Sequence, residues 1–445
     1  MQCMNKNFND GKRNGVNMGF FHKSRPVWAD GLEREINVTC GFYAKVERKS
    51  EKQYFMKLAA SSFYRLFLNG KFVYYGPARC AHGYYRVDEI DLTGQLKDGE
   101  NDLAIEVVGY NVNSFYSLDQ PSFLQAELFE DGKTIAATGE DGNFIGFVLK
   151  QRRRKIQRFS FQRAIGESYL LQPGADAWRC GDFSEQTQIQ LVSTEDKQMV
   201  ARGIPLNHFT KVVPEKVLSR GRVHTGVIPK SYKKDRSLTN ISEQLKGFPE
   251  QELELHLSDE VQEMEYFDRQ QVGDLYTGTS LLQENTFEIV SLPSEKTGFI
   301  GMDIHCKEDG TLYIMVDETL INQDVDPLSM ECLNVIRLDI KAGDYSFLSF
   351  ETFGFGFLKL VCTTGEMTVH DIHLLEYRYP AQIISSYHRD NTKLAAIYDA
   401  AIETFCQNAP DIFMDCPTRE RAGWLCDSFF TARVEHLFTG ENRME

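Results

Sequence analysis

The sequence lacks long apolar runs, a secretion signal and paired cysteines. No stretch reaches the roughly 18 apolar residues that a membrane-spanning helix needs. The first residues, MQCMNKN, lack the apolar core of a secretory signal. The 10 cysteines are scattered, with no Cys-x-x-Cys pair and no histidine at metal-ligand spacing, so a zinc site is not expected. Free thiols suit a reducing compartment, and the sequence therefore predicts a cytoplasmic protein.

Positive charge is also scarce. The chain has 49 Lys and Arg against 64 Asp and Glu, a formal net charge of −15. Nucleic acids and anionic membranes bind basic faces, so neither is expected as a partner. The basic run Arg152–Lys155 is a local exception, which we interpret as a solvated strand end. With 42% apolar and 25% charged residues, the 445-residue chain has the composition of a globular protein of about two to four domains.

The first third of the chain has the pattern of an antiparallel β-sandwich. Residues 1–30 are polar, and we interpret them as an arm that docks its few aromatic side chains on the adjoining β-structure. The β-prone runs Phe63–Leu68 and Lys71–Tyr75 flank Asn69 and Gly70, a pair that favours a type I′ hairpin turn. Further short runs separated by turns are typical of a sandwich. We therefore place a first sandwich at residues 31–185.

The second half repeats this pattern after a polar stretch. Residues 186–270 are weakly patterned, and we interpret them as a long connection. Alternating runs such as Phe299–Cys306 then resume, which predicts a second sandwich at residues 271–380. Within it, Phe353–Lys359 alternates aromatic residues with glycine. The run lacks the third glycine, the Lys-Ser/Thr pair and the following helix of a nucleotide-binding loop, so a strand is expected.

A dense polar stretch, DCPTRERAGWLCD, runs from Asp415 to Asp427. Apolar residues recur at helical spacing on both sides of it. They are Leu394, Tyr398, Ile402 and Phe405 before it, and Leu425, Phe429 and Leu437 after it. A charged turn between two amphipathic helices can project polar groups into a cleft, so this turn is the candidate site. Taken alone, such charged neighbours are also typical of helix ends and surface ion pairs.

This stretch resembles the catalytic signature of bacterial α-L-rhamnosidases of glycoside hydrolase family 78. That signature reads Asp-Cys-Pro-x-Arg, an acid, Arg, then Gly-Trp and a final Asp. Many members carry one more acid after the first arginine, whereas this chain has the shorter Arg-Glu-Arg form. The first sandwich also resembles the N-terminal sandwich of this family through Leu68–Lys71, Gly76–Ala78 and Gly99–Asn101.

The resemblance implies a role for five residues. Glu420 aligns with the general acid, Asp415 and Asp427 with acids that bind rhamnose hydroxyls, Trp424 with an aromatic against the apolar face of the sugar, and Arg419 with an arginine of the same site. The implied partner is a rhamnose-containing oligosaccharide or glycoside. This chemistry needs no cofactor and no metal.

The residue types fit that chemistry. Cleavage of a glycosidic bond needs a carboxyl group that protonates the departing oxygen. If Asp415, Glu420 and Asp427 converge, repulsion between like charges favours one protonated acid. Arg419 and Arg421 could then hold the other two acids ionised.

The resemblance also implies an inverting mechanism and an (α/α)₆ catalytic toroid beginning at residue 381. An inverting enzyme needs a second carboxylate as general base, which the family places farther along the toroid. Residues 391–445 have room for about two or three helices of ordinary length, so the toroid is incomplete in this chain. The expected fold is therefore multidomain and mostly β: tandem antiparallel, jelly-roll-like sandwiches followed by the first toroid helices.

The chain alone is expected to be inactive, and the apolar stripes of the two helices are expected to be partly exposed. Two other functions are compatible with the sequence. One is a non-catalytic carbohydrate-binding protein whose sandwich aromatics stack on sugars, and the other is a divergent toroid enzyme for a different sugar. The aromatics of the carbohydrate-binding hypothesis are Tyr84, Tyr85, Tyr110 and Tyr116. A homo-oligomer is compatible with all three functions.

Overall fold

The computed structural model describes residues 19–49, 51–239, 241–380, 382–387 and 391–444. Strands in three sheets are the main secondary structure of this part of the chain, and two longer helices follow them, in agreement with the expected β-rich multidomain fold. Of the expected N-terminal arm, residues 1–18 lie outside the described residues. Phe20 and Phe21 pack against a buried cluster of the first sandwich, as expected of a docked arm.

The described residues form 24 strands and four α-helices. The first strands are β1 (Val27–Ala29), β2 (Val38–Arg48), β3 (Tyr54–Ser61), β4 (Phe63–Leu68), β5 (Lys71–Gly76), β6 (Tyr84–Asp91), β7 (Gly99–Gly109), β8 (Phe123–Glu130), β9 (Lys133–Ala137), β10 (Ile145–Val148), β11 (Glu167–Leu171), β12 (Gln188–Ile189), β13 (Leu191–Ser193) and β14 (Gln198–Ala201). The remaining strands are β15 (Phe209–Val212), β16 (Lys216–His224), β17 (Glu265–Leu275), β18 (Thr279–Leu282), β19 (Thr286–Cys306), β20 (Gly310–Asp317), β21 (Val335–Ile340), β22 (Gly343–Leu348), β23 (Phe353–Thr364) and β24 (Met367–Tyr377). The α-helices are α1 (Arg236–Thr239), α2 (Leu257–Gln262), α3 (Thr392–Gln407) and α4 (Leu425–Thr439).

Two sheets form the first sandwich. One has the order β13-β1-β8-β3-β6-β14, with β9 paired to β8, and the other has the order β12-β10-β2-β7-β4-β5. Apolar side chains of both sheets, including Trp28, Phe42 and Leu128, form one buried core between them. Burial of such side chains against a second sheet is the main stabilising contribution in this architecture.

The hairpin between β4 and β5 confirms the sequence prediction. Asn69 and Gly70 have φ values of 50° and 75°, as a type I′ turn requires. The turn directs β5 back along β4. It thereby brings the segment after β5, which includes Arg79, to the edge of the sandwich that faces the C-terminal helices.

The second sandwich is built from one sheet of 11 strands. Its main path is β11-β21-β20-β23-β19-β16-β17, and β24 pairs with β19, β15 and β18 while β22 pairs with β19. The sheet encloses a second apolar core that includes Ile300, Leu312 and Leu360. The aromatic-glycine run lies in β23, as predicted. Two pairings are parallel, β11 with β21 and β14 with β6. The expectation of purely antiparallel sandwiches is therefore wrong at these two pairings.

Residues 186–270 contain more structure than the long connection that we predicted. Strands β12, β13 and β14 complete the first sandwich, and β15, β16 and the start of β17 belong to the second. The prediction was wrong here because β12 to β15 are only two to four residues long, too short to show a pattern, and because β17 lies at the end of its sheet with most of its side chains exposed. An edge strand of this kind gives little apolar alternation.

The two sandwiches meet through an aromatic interface. Tyr75 of the first sandwich packs against Phe299 and Phe350 of the second, with ring centroids 4.9 and 6.0 Å apart. Arg152 is buried in this region, where it donates a hydrogen bond to Asn37 and its guanidinium lies over the ring of Phe350. The interpretation of Arg152–Lys155 as a solvated strand end is therefore wrong for Arg152.

Helices α3 and α4 pack on each other after the last strand. Tyr379, Phe405 and Phe438 share a small buried core, and the rest of the predicted toroid stays a prediction. Leu394, Phe429 and Leu437 are exposed, as expected. Phe405 is buried, contrary to expectation, because it packs on Tyr379 and Phe438. Within the described ranges, none of the helices has the length and apolar content needed to cross a membrane.

Candidate active site

The signature turn, residues 415–424, joins α3 to α4 and is closed by its own hydrogen bonds. The amide of Asp415 donates to the carbonyl of Ala422 (3.0 Å), and the Asp415 carboxylate accepts from the Ala422 amide (2.9 Å). Arg421 adopts a left-handed conformation with φ 56°. Proline at 417 and this backbone reversal prevent a continuous helix.

Glu420 is held by three donors. Its Oε1 accepts hydrogen bonds from the side-chain amide of Gln162 (2.8 Å) and from Arg419 (2.9 Å). Its Oε2 accepts one from the indole N–H of Trp424 (2.9 Å). The side chain of Glu420 is only 13% exposed, so its orientation is fixed by these contacts.

Two arginines, Arg79 and Arg163, bind the signature turn and the segment just before it. Arg79 binds both carboxylate oxygens of Asp411 and donates to the carbonyl of Arg421 (2.7 Å). Arg163 donates to the carbonyl of Thr418 (2.8 Å). Burial disfavours the ionised form of Asp411, but the Arg79 guanidinium outweighs it and holds the pKa of Asp411 below its usual range. The ion pair is therefore retained near neutral pH.

The side chain of Arg421 points into the protein interior and not toward the candidate acids. It donates to Glu351 (3.0 Å), which also accepts from the hydroxyls of Tyr110 (2.7 Å) and Tyr116 (3.1 Å). Burial, followed by the charge of Arg163, lowers the pKa of Arg421. The expectation that Arg421 holds one of the site acids ionised is wrong, because its partner is the buried Glu351.

The structure brings three of the five predicted site residues into direct contact: Arg419, Glu420 and Trp424. Asp415 is connected through Cys416, whose thiol donates to the Asp415 carboxylate (3.2 Å) and accepts from the Glu420 amide (3.3 Å). Burial raises the pKa of Cys416, so the thiol keeps its proton and can donate.

Asp427 stands apart from this group. It lies in the first turn of α4 with an exposed side chain, and among the described residues its carboxylate makes no hydrogen bond or ion pair. It does not cap the helix, because the N-cap position is Trp424. Trp424 is not a core anchor either, since 48% of its surface is exposed. An exposed indole beside a fixed carboxylate is suited to bind a sugar ring.

Sequence reasoning missed two contributors from the first sandwich. Gln162 lies 258 positions before Glu420 and has no local pattern that marks it. Its backbone carbonyl accepts a hydrogen bond from the amide of Phe115 (2.9 Å), and the ring of Phe115 packs edge-on against Trp424 at 5.7 Å. Gln162 therefore connects the acid to the aromatic side of the site.

The aromatics proposed for a sugar-binding sandwich are mostly unavailable. Tyr85, Tyr110 and Tyr116 are buried, and only Tyr84 is exposed. One trio, Glu250, His256 and Asp259, places its ligand atoms within 4.8 Å of one another. Asp259 is already paired with Lys234 (3.0 Å), and we assign this trio no role.

Comparison with solved structures identifies the fold. The family 78 rhamnosidase of Bacillus sp. GL1 superposes with a TM-score of 0.76 at 17% identity, over 96% of this chain and 62% of that one. The α-L-rhamnosidase of Dictyoglumus thermophilum gives 0.60 at 14% identity, over 94% and 42% of the two chains. That of Streptomyces avermitilis, solved with L-rhamnose, gives 0.52 at 13% identity, over 90% and 36%.

The chain has the fold of these α-L-rhamnosidases. It spans less than two thirds of the length of each of the three. The sequence itself matches no protein-family model and no curated protein. The likeness therefore concerns the arrangement of the sandwiches and helices.

Proposed function

We propose that this chain is part of a glycoside hydrolase that cleaves terminal α-L-rhamnose, with Glu420 as the general acid. The observation that carries the proposal is the contact between Glu420 and Trp424. A carboxyl group with a fixed orientation lies beside a half-exposed indole, in a turn supported by both sandwiches. The fold shared with α-L-rhamnosidases supports the choice of reaction and sugar.

The proposed chemistry begins with the sugar against the indole of Trp424. Pyranose rings have an apolar face that packs on aromatic side chains, and the hydroxyls at the ring edge remain free for polar partners. Arg419, bound to Glu420, and Asp427, three residues after Trp424, have exposed side chains and are the proposed polar partners. Asp415 contributes through Oδ2, which accepts a hydrogen bond from the Cys416 thiol, since Oδ1 is bound by the Ala422 amide of the turn.

Glu420 then protonates the oxygen of the leaving group while the ring gains oxocarbenium character. In this step the glycosidic oxygen takes the place of one of the present donors to Glu420, Arg419 or Trp424. Gln162 is buried and remains bound, so the carboxyl keeps its orientation during this exchange. Orientation of this kind lowers the barrier because the reacting atoms are already aligned.

The proposed mechanism is inverting, so it requires a second carboxylate that activates water on the opposite face of the sugar. We assign that role to none of the residues of the signature turn. We propose that the 445-residue chain by itself binds rhamnosides and does not hydrolyse them. Measurable hydrolysis by the isolated chain that Glu420→Gln leaves unchanged would contradict both the assignment of Glu420 and this expectation.

Binding of L-rhamnose tests the proposal. The chain has three tryptophans, and Trp28 and Trp178 are fully buried, so iodide quenches the emission of Trp424 selectively. L-rhamnose is expected to protect Trp424 from iodide. By calorimetry, Trp424→Ala is expected to weaken binding about tenfold through loss of the stacking contact.

Phe429→Ala is the matched control, because Phe429 is also an exposed ring and lies in the next turn of α4. It should leave rhamnose affinity unchanged. D-glucose is the control ligand and should bind more weakly than L-rhamnose. Equal losses of rhamnose affinity in the two variants, or no protection of Trp424 from iodide by L-rhamnose, would overturn the proposal.

A further inference from the structure

A line of aromatic rings leads away from Glu420. The indole of Trp424 packs edge-on against Phe115 at 5.7 Å, and Phe115 packs edge-on against Phe161 at 6.2 Å. The guanidinium of Arg236 lies 4.6 Å from the centroid of the Phe161 ring. We call Trp424, Phe115 and Phe161 the ring shelf. Phe115 is 40% exposed, so the shelf has a surface that a ligand can reach.

The far end of the ring shelf borders a large cavity. The cavity has a volume of about 780 Å³ and lies between the segment that carries Lys233 and Arg236 and the loop that carries Glu331 and Cys332. Clefts of this size hold ligands of one to three rings. Arg236 belongs to both features, because it lines the cavity and stacks on Phe161.

A second connection links the cavity to the signature turn. Phe159 lines the cavity, and the guanidinium of Arg163 lies 3.9 Å from the centroid of the Phe159 ring. Arg163 also donates a hydrogen bond to the carbonyl of Thr418, two residues before Glu420. The cavity is therefore connected to the signature turn through Arg163, as well as to the end of the ring shelf through Arg236.

The lining of the cavity is amphipathic. Leu328 and Leu333 supply apolar surface, and Lys234, Asp317 and Glu331 supply charges of both signs. A ligand that fits such a lining has an apolar face and hydroxyls along its edge. Both a second sugar and a hydroxylated aromatic ring have this chemistry.

We propose that the ring shelf and this cavity together bind the leaving group of the glycoside, a ring with an apolar face and a hydroxylated edge. This inference rests on the proposed function, because Glu420 has to reach the oxygen between rhamnose and that leaving group. The first sandwich then supplies substrate selectivity through Phe115 and Phe161, and Gln162 ties this selectivity to the position of the acid.

Calorimetry with three rhamnosides tests the inference on the whole chain. Methyl α-L-rhamnoside has almost no leaving group, whereas 4-nitrophenyl α-L-rhamnoside has an aromatic one and a rhamnosyl-glucose disaccharide has a sugar. We expect at least one ring-bearing ligand to bind about tenfold more tightly than the methyl glycoside. The ligand that shows this gain in affinity identifies the leaving group as aromatic or as a sugar.

Phe161→Ala and Arg236→Gln, at the cavity end of the ring shelf, should each remove most of that gain while the affinity for methyl α-L-rhamnoside stays unchanged. The second variant keeps the test valid if the first fails to fold. Equal affinities for all three ligands, or variants that keep the full gain, would overturn the inference and leave the proposed function standing. No binding of methyl α-L-rhamnoside would overturn the proposed function and the inference with it.

Discussion

Arg421 of the signature turn donates a 3.0 Å hydrogen bond to Glu351 of the second sandwich, and both side chains are buried. Arg419, two residues earlier, makes a different kind of contact, an ion pair with Glu420 in which the arginine side chain is exposed. Two arginines separated by one residue therefore have different functions. Arg421 anchors the turn to the protein, and Arg419 faces the candidate site.

Substitution of each arginine by methionine should separate these functions. Arg421→Met leaves the Glu351 carboxylate buried without its main cation and should lower the free energy of unfolding by roughly 3–5 kcal/mol. Arg419→Met should change it by less than about 1 kcal/mol, because exposed pairs contribute little. Urea unfolding followed by circular dichroism measures both values. Equal losses in the free energy of unfolding for the two variants would contradict this division of functions.

Gly354 of β23 gives the signature turn room to pack. A Cβ at this position would lie 2.3 Å from Oγ1 of Thr418. Gly354→Ala should therefore destabilise the chain by about 1–3 kcal/mol and change the emission of Trp424. Addition of Thr418→Ala removes the clashing oxygen and should restore most of the loss. If the double variant is no more stable than Gly354→Ala, the clash is not the cause.

Gln162 should affect the site as well as stability. Gln162→Leu removes a donor to Glu420, and the expected result is weaker L-rhamnose binding together with a stability loss of about 1 kcal/mol. Gln157→Leu is the matched control, because Gln157 is a buried amide of the same segment that bonds to Ser258 and not to Glu420. It should lose stability with no change in rhamnose affinity. The same effect of both variants on affinity would show that Gln162 acts only through the fold.

Lys359 should make stability depend on pH. Its ammonium lies 2.8 Å from Asp324 inside the second sandwich, and burial lowers the pKa of Lys359 to about 7. The unfolded chain keeps this proton to about pH 10, whereas the folded chain releases it above about pH 7, so stability rises with pH between these values. Lys359→Met removes the cost of burying this charge, so the variant should have a higher free energy of unfolding than wild type at pH 6. This difference should shrink by about 3–5 kcal/mol from pH 6 to pH 10.

Urea unfolding at several pH values measures this difference. Lys341→Met is the control, because Lys341 is an exposed lysine paired with an exposed aspartate. Its difference from wild type should stay nearly constant over the same range. A constant difference for Lys359→Met as well would contradict the lowered pKa of Lys359.

Local patterns predicted the local elements of this chain. Asn69 and Gly70 formed the predicted turn, the aromatic-glycine run became β23, and periodic apolar residues became α3 and α4. Each of these features depends on near neighbours in the sequence, which alternation and turn chemistry report directly. The hydrogen-bonded group of Arg419, Glu420 and Trp424 was likewise contained in one short stretch.

Long-range partners could not be predicted in this way. Gln162 and Phe115 reach the site only because the signature turn packs on the first sandwich, and nothing in their own neighbourhoods marks them. Arg421 was misassigned because two positions along a turn can point to opposite sides, and its left-handed conformation directs it to Glu351. Such contacts depend on tertiary packing, which periodicity does not report.

The most direct test of the proposed site is a crystal structure of the chain with L-rhamnose. We predict the sugar ring within van der Waals contact of the Trp424 indole, with its anomeric oxygen within hydrogen-bonding distance of the Glu420 carboxyl group. Side chains of Arg419 and Asp427 should contact the remaining hydroxyls. A sugar bound elsewhere, for example on the first sandwich beside Tyr84, or no bound sugar at saturating concentration, would contradict the account.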